Sequence, residues 1–349
     1  MRACKTERSA PKLSVIIPVY NVEPYLRSCM DSLLSVQSGE IEYICVAGRS
    51  QDCSTNILLE YAGRDKRVSI IEQRDTGLSE ARNLGVKQAM GEYLLFADSD
   101  DFVRPALFQV LFDTLKERPQ EDIFITDFSM VTVRNGVIRE KPIYQINAQN
   151  DGTEGLDFLP QMLKRKQCFW NVWRYVYRRS FLERNGIAFR CGSMCEDVDF
   201  TNQVLMANPK TLFLHCPFYC YRVAREDSQM GHATSRRIRD TIAVLRDSIR
   251  SLDQSDFKWK QELIAQYQFE LILTMAQLYE IPTDEREMIK HEFQKALPAL
   301  NLGCDRFAKI AYRICSIAGV KPMARCLFGA KRLKQRHRAA WRITEEAIC

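Results

Sequence analysis

Tyr93-Leu94-Leu95-Phe96-Ala97-Asp98-Ser99-Asp100-Asp101 is an apolar run of strand length that ends in three carboxylates within four positions. Upstream, residues 13–19, 41–46 and 68–72 are short runs rich in β-branched residues, and residues 122–126 repeat the pattern downstream. Between them, residues 22–36, 54–63, 79–90 and 105–117 carry apolar side chains at helical spacing. This alternation of strand and helix predicts an α/β fold with a mostly parallel sheet flanked by helices, and ligands beyond the carboxyl ends of the strands. The polar residues cluster at those ends: Pro18-Val19-Tyr20-Asn21, Ala47-Gly48-Arg49-Ser50-Gln51-Asp52, Gln73-Arg74-Asp75-Thr76-Gly77 and the Asp98 cluster.

From about residue 127 the pattern turns irregular. A hairpin is expected around Arg134-Asn135-Gly136, followed by an aromatic run over residues 169–177. After Arg225 the spacing is helical almost throughout, with Ile281-Pro282 and Lys321-Pro322 expected as breaks.

The chain of 349 residues is 46% hydrophobic and 27% charged, which suits a globular protein of about two domains. No run approaches the roughly 18 uncharged apolar residues of a membrane span, and residues 1–12 lack the apolar centre of a signal peptide. Thirteen scattered cysteines are an odd number in a chain too long to need staples, so they read as thiols of a reducing compartment. The pairs Cys191/Cys195 and Cys216/Cys220 lack the two-residue spacing of a zinc knuckle. The net charge of +6 is uneven, because residues 305–342 hold eleven Lys/Arg against the single Asp305.

Three carboxylates this close repel one another unless something positive sits among them. A divalent cation with oxygen ligands answers that need, and acidic capping of the helix after Pro105 explains only one of the three. Glu196-Asp197 precedes an apolar helical stretch, where acidic residues suit the helix dipole; beside a substrate hydroxyl, a partly desolvated carboxylate would act as a general base. Tyr219-Cys220-Tyr221-Arg222 ends in a cation that suits either a diphosphate or solvent, with Ser228 shortly after. Trp170 and Trp173 suit either a sugar ring or the core.

Taken together, the run Ser14-Val15-Ile16-Ile17-Pro18-Val19-Tyr20-Asn21, the segment Gly77-Leu78-Ser79-Glu80-Ala81-Arg82-Asn83, Gly91-Glu92-Tyr93 leading to the Asp98 cluster, and Glu196-Asp197 followed by Phe200 resemble the inverting family 2 glycosyltransferases of GT-A fold. The resemblance covers about residues 12–228. It implies a catalytic domain there, with a nucleotide-sugar half over residues 12–126 and an acceptor half over 127–228. An extension over 1–11, a helical region over 229–304 and a basic tail over 305–349 complete the expected organisation.

The same resemblance implies roles. Asp98 and Asp100 would form the DxD-type pair, with Asp100 most directly holding Mn2+ or Mg2+ against the donor diphosphate. Asp197 would be the base, with Glu196 helping to place the acceptor. Pro18, Tyr20, Asn21, Asp52, Arg82, Asn83, Ser99 and Arg222 would line the nucleotide-sugar site. Where the family usually carries Asp-Asp-Gly-Ser after the second strand, this chain has Ala47-Gly48-Arg49-Ser50. The carboxylate expected to recognise the nucleotide base is therefore missing; a UDP-sugar is the first donor expected, and a nucleotide other than UDP, a base held by backbone groups or a weakened enzyme stays open.

The expected activity is transfer of a sugar to a glycan or polyprenyl-diphosphate-linked acceptor in cell-surface polysaccharide synthesis. The alternative is a catalytically impaired nucleotide-sugar- or glycan-binding scaffold of the same fold. In the tail, Phe307, Ile310, Ala311, Ile314, Ile317 and Ala318 recur at helical spacing among Arg306, Lys309 and Arg313, and Leu327, Phe328, Leu333 and Trp341 continue the apolar theme. That combination predicts docking on an anionic membrane surface rather than nucleic-acid binding, and a peripheral enzyme on the inner face of the cytoplasmic membrane.

Overall fold

The computed structural model describes residues 10–74, 77–134, 137–143, 151–164, 170–223 and 233–346. Strands β1 (Leu13–Val19), β2 (Ile41–Ala47), β3 (Val68–Glu72) and β4 (Tyr93–Phe96) pair in parallel in the order β3-β2-β1-β4. Helices α1 (Glu23–Leu34), α2 (Ser54–Arg64) and α3 (Leu78–Gln88) are the crossovers. Every residue of β1 is buried, which explains why it reads as a continuous apolar run without alternation: both of its faces are covered. Helix α3 lies so close to β1 that a Cβ at Gly85 would stand 2.3 Å from Ile16 Cγ2, so glycine is what permits the approach.

Beyond β4 come β5 (Phe102–Val103), α4 (Pro105–Glu117), β6 (Ile123–Arg134), β7 (Val137–Ile143), α5 (Leu159–Lys164), β8 (Tyr175–Arg178), α6 (Arg179–Arg184), α7 (Glu196–Met206) and β9 (Thr211–Arg222). They extend the sheet as β4-β8-β6-β9-β5, with β7 on β6. This half is mixed: β8 runs antiparallel to β4 and β6, whereas β9 runs parallel to β6. The strand expected over 122–126 continues to Arg134 because a register shift between Thr126 and Phe128 lets β6 keep pairing with β9. The expected hairpin follows, with Arg134 opposite Val137.

These strands form the first compact unit (residues 1–162, 167–192 and 200–226); the second comprises residues 163–166, 193–199 and 227–349. The second is helical: α8 (Ser235–Asp253), α9 (Lys260–Met275), α10 (Arg286–Leu300), α11 (Arg306–Ala318) and α12 (Val320–Glu346). Thr234 caps α8 by accepting from the Arg237 N–H, and Asp305 caps α11 by accepting from the Ala308 N–H at 2.7 Å. Ile281-Pro282 does precede α10. Lys321-Pro322 is not a break, however; it lies in the first turn of α12, where proline needs no N–H partner, and the chain turns at Gly319 with φ 77°. Among the described residues, no helix is long and apolar enough to cross a membrane.

Candidate active site

The β1–β4 pairing ends with the Ala97 N–H donating to the Ile16 carbonyl at 3.0 Å, and the chain then turns, the Asp101 N–H donating to the Asp98 carbonyl at 3.1 Å. This turn gathers the carboxylates: one oxygen each from Asp98, Asp100 and Asp101 lies within 4.8 Å of the others. Asp101 is buried, while Asp98 and Asp100 are half-buried. Burial, then the charges of Asp100 and Asp98, push the Asp101 carboxyl well above the usual carboxylate range. Both of its oxygens are engaged: Oδ1 accepts from the Arg222 N–H at 2.7 Å and Oδ2 from the Tyr219 hydroxyl at 2.9 Å. Asp101 thus braces the turn, and Asp98 and Asp100 are the two acids of the cluster that are not fully buried.

A positive group does sit among these acids. Arg82, on the inner face of α3, is buried; its Nη2 donates to Asp98 Oδ1 at 2.9 Å and its guanidinium lies 5.3 Å from the Phe189 ring centroid. A buried guanidinium persists only when paired, so Arg82 and Asp98 hold each other in place. Arg222, at the end of β9, donates through Nε to the Asp100 carbonyl at 2.9 Å and stands between the rings of Tyr25 and Phe102, at 5.3 and 5.1 Å. Two cations therefore flank the cluster, a setting suited to an anionic ligand bridged by a metal ion.

Tyr219 ties the turn together, and sequence reasoning missed it. Its hydroxyl accepts the Asp98 N–H at 3.0 Å while donating to Asp101, and its ring stacks on Trp173 at 4.3 Å and 8°. Trp173 is buried in this stack, so it belongs to the core rather than to a sugar platform; Trp170 is half-buried. The only available signal was the aromatic alternation of Tyr219 and Tyr221, which does not reveal the pairing of Val103 with Tyr219 that carries the phenol to the acids.

The loops after β1 and β2 are laced together by residues expected to meet the nucleotide. Asn21, at φ 50°, donates its N–H to Ser50 Oγ and accepts the Gln51 N–H at 2.8 Å. Asp52 accepts the N–H groups of Glu23 at 2.9 Å and Ser54 at 3.0 Å, the first residues of α1 and α2. Burial works against the Asp52 charge, but hydrogen bonding from the Ser54 hydroxyl, followed by the backbone N–H groups, outweighs it and holds the carboxyl below its ordinary value. Pro18 is buried within β1 and Tyr20 is exposed, its ring lying over Gly48, where a Cβ would meet Tyr20 Cδ2 at 3.1 Å. The Asn83 amide brackets the Phe189 backbone, donating to its carbonyl at 2.8 Å and accepting its N–H at 3.0 Å. Ser99 is buried within the turn.

Glu196 and Asp197 open the first turn of α7, Glu196 buried and Asp197 half-buried. They belong to the segment grouped with the helical unit, whereas the Asp98 cluster, Arg82 and Arg222 belong to the first. Asp75-Thr76, Asn135-Gly136, Ser228 and the side chain of Trp341 lie outside the described residues.

The sequence model described as Glycosyl transferase family 2 matches residues 14–195. The chain is 35% identical over 215 residues to the uncharacterized glycosyltransferase EpsJ of Bacillus subtilis, covering 61% of each. It is 30% identical over 218 residues to the glycosyltransferase GlyA of Streptococcus pneumoniae, covering 61% of this chain and 31% of that one. The matches thus span less than two thirds of these relatives' length. Among solved structures, S. aureus TarS 1–349 in complex with UDP-GlcNAc superposes with a TM-score of 0.70 at 18% identity, over 93% of this chain and 92% of that one. At that identity the likeness shows a shared GT-A-type fold.

Proposed function

This chain belongs to glycosyl transferase family 2, and from that premise we propose that it moves one sugar from a nucleotide-sugar to a hydroxyl of a glycan or polyprenyl-diphosphate-linked acceptor, with inversion at the anomeric carbon, in the assembly of a cell-surface polysaccharide. The observation that carries the reading is the convergence of Asp98, Asp100, Arg82 and Arg222 at the end of β4. The UDP-GlcNAc complex of TarS supports a nucleotide-sugar as donor, with a UDP-sugar as the first to try.

The residues present fit Mn2+ or Mg2+. Asp98 and Asp100 offer hard oxygens at the mouth of the turn, while Asp101, both oxygens engaged behind them, keeps the turn rigid. Bound there, the divalent ion would neutralise charge on the leaving diphosphate. Arg82 sets the orientation of Asp98, and Arg222 adds positive charge beside Asp100. Asp197 removes the proton of the attacking hydroxyl and Glu196 helps to position the acceptor; a single displacement needs one base and no protein nucleophile. The catalytic unit of this reading spans residues 12–228, with helices following. A polyprenyl-linked acceptor would hold the enzyme at the inner face of the cytoplasmic membrane.

The test is a panel of nucleotide-sugars offered with Mn2+ and a polyprenyl-diphosphate glycan, followed by NMR of the product. Transfer with inverted anomeric configuration, abolished by EDTA, supports the proposal. Retention of configuration, or undiminished transfer in excess chelator, overturns it.

A further inference from the structure

Helix α11 carries its apolar residues on two faces, and their sizes are the reverse of ordinary packing. Toward the protein it turns Ala308, Ala311 and Cys315, all buried, where it packs against α10 and α12. Away from the protein it turns Phe307, Ile310, Ile314 and Ile317, which are 49, 54, 41 and 89% exposed. The sequence reading grouped Ala311 with the outward residues; the structure places it on the inward face. A helix that only docks on its neighbours buries its large side chains and exposes its small or polar ones. Here the spacing of three, four and three puts the four large residues on one row, and none of them is buried among the described residues.

The charge around the row says what covers it. At 3.6 residues per turn, Arg306, Lys309 and Arg313 fall in the sector beside the row, on the side away from the buried alanines. Residues 305–342 carry eleven Lys/Arg and one Asp. A second copy of this face would bring like charges together, which opposes self-association. An anionic lipid surface matches both features, because the row enters the acyl boundary while the adjoining basic side chains reach the headgroups.

We propose that the Phe307–Ile310–Ile314–Ile317 row of α11 is a membrane-docking face that recognises anionic phospholipid, the basic sector setting the lipid preference and the apolar row supplying the insertion. The proposal deepens the peripheral-membrane reading and rests on it only for where the acceptor lies. Its test uses neither donor nor acceptor, so its failure leaves the transfer chemistry standing.

The full chain is floated with phosphatidylcholine vesicles prepared with and without phosphatidylglycerol, beside two double variants, Ile310→Ser/Ile317→Ser and Lys309→Glu/Arg313→Glu. Each basic side chain near an anionic surface is worth about fivefold in partition, so the charge variant loses about twentyfold or more on anionic vesicles. The serine variant, altered only at exposed positions, loses about tenfold or more on the same vesicles with an unchanged melting temperature. Equal recovery with both vesicle types, or undiminished binding of the serine variant, overturns the proposal. So does a wild-type oligomer that the serine variant dissolves without any vesicle binding, which would make the row an interface between copies.

Discussion

The hydroxyl of Tyr219 donates to Oδ2 of Asp101 at 2.9 Å. The phenol oxygen of Tyr219 itself accepts the Asp98 N–H at 3.0 Å, so one phenol spans the first and last acids of the turn, and its ring stacks on Trp173. Tyr219→Phe keeps the stack and deletes only the hydroxyl. It strands a buried carboxyl oxygen and a backbone N–H, a loss of about 1–3 kcal/mol. We expect a lower urea midpoint together with about tenfold weaker Mn2+ binding, read by electron paramagnetic resonance without substrate. A variant with weakened stability and unaltered Mn2+ affinity would show that Tyr219 supports the fold and not the acids' arrangement.

Asp197→Asn retains shape and removes basicity. Sugar transfer falls by about a hundredfold to ten-thousandfold while calorimetric affinity for the donor stays within error. Near-normal turnover in this variant would remove Asp197 from the role of base.

The missing acids after β2 have different settings, which single substitutions separate. Ala47 is buried in the core beneath the sheet's end, so Ala47→Asp forces an unpaired carboxylate into apolar surroundings and should lower the melting temperature sharply. Gly48 is not buried, but its added Cβ would press on the Tyr20 ring at 3.1 Å. Gly48→Asp should therefore leave stability nearly intact and change relative affinities for UDP, GDP and CMP through a displaced Tyr20. The same melting temperature for both variants, or the same three affinities in Gly48→Asp and wild type, would contradict this account.

The parallel half of the fold was legible because its strands are local apolar runs punctuated by crossover helices: residues 13–19, 68–72 and 105–117 match β1, β3 and α4 end for end. The clustering of Asp98, Asp100 and Asp101 was equally legible, being a property of one turn. What stayed hidden depends on partners far along the chain. Arg82 on Asp98, Tyr219 on Asp101 and the Asn83 bracket around Phe189 are long-range pairings that no spacing rule encodes. Asp52 was legible as a polar residue at a strand end, but that its oxygens accept the first N–H of two helices emerges only when the loops after β1 and β2 meet.

Asp52 also yields a pH dependence. Its folded carboxyl lies below its ordinary value, so its contribution is fully present above the unfolded value of about 3.9 and is lost as pH falls through the lower folded value. Chemical denaturation of wild type and Asp52→Asn should show a stability gap that is constant above about pH 5 and closes at lower pH. A gap that persists unchanged into that acid range would mean that these hydrogen bonds do not depend on the carboxylate charge.

In the proposed reaction Asp98 and Asp100 form a metal-dependent site for a nucleoside diphosphate. Calorimetric titration of UDP, GDP and CDP into the wild-type chain and Asp100→Ala, each with Mn2+ and with EDTA, tests it most directly. At least one nucleotide is expected to bind the wild type with Mn2+, its affinity falling about tenfold or more with EDTA or in Asp100→Ala, a loss typical of removing a charged partner. Equal affinity in all four conditions, or no binding of any nucleotide to the folded wild type with Mn2+, would contradict it.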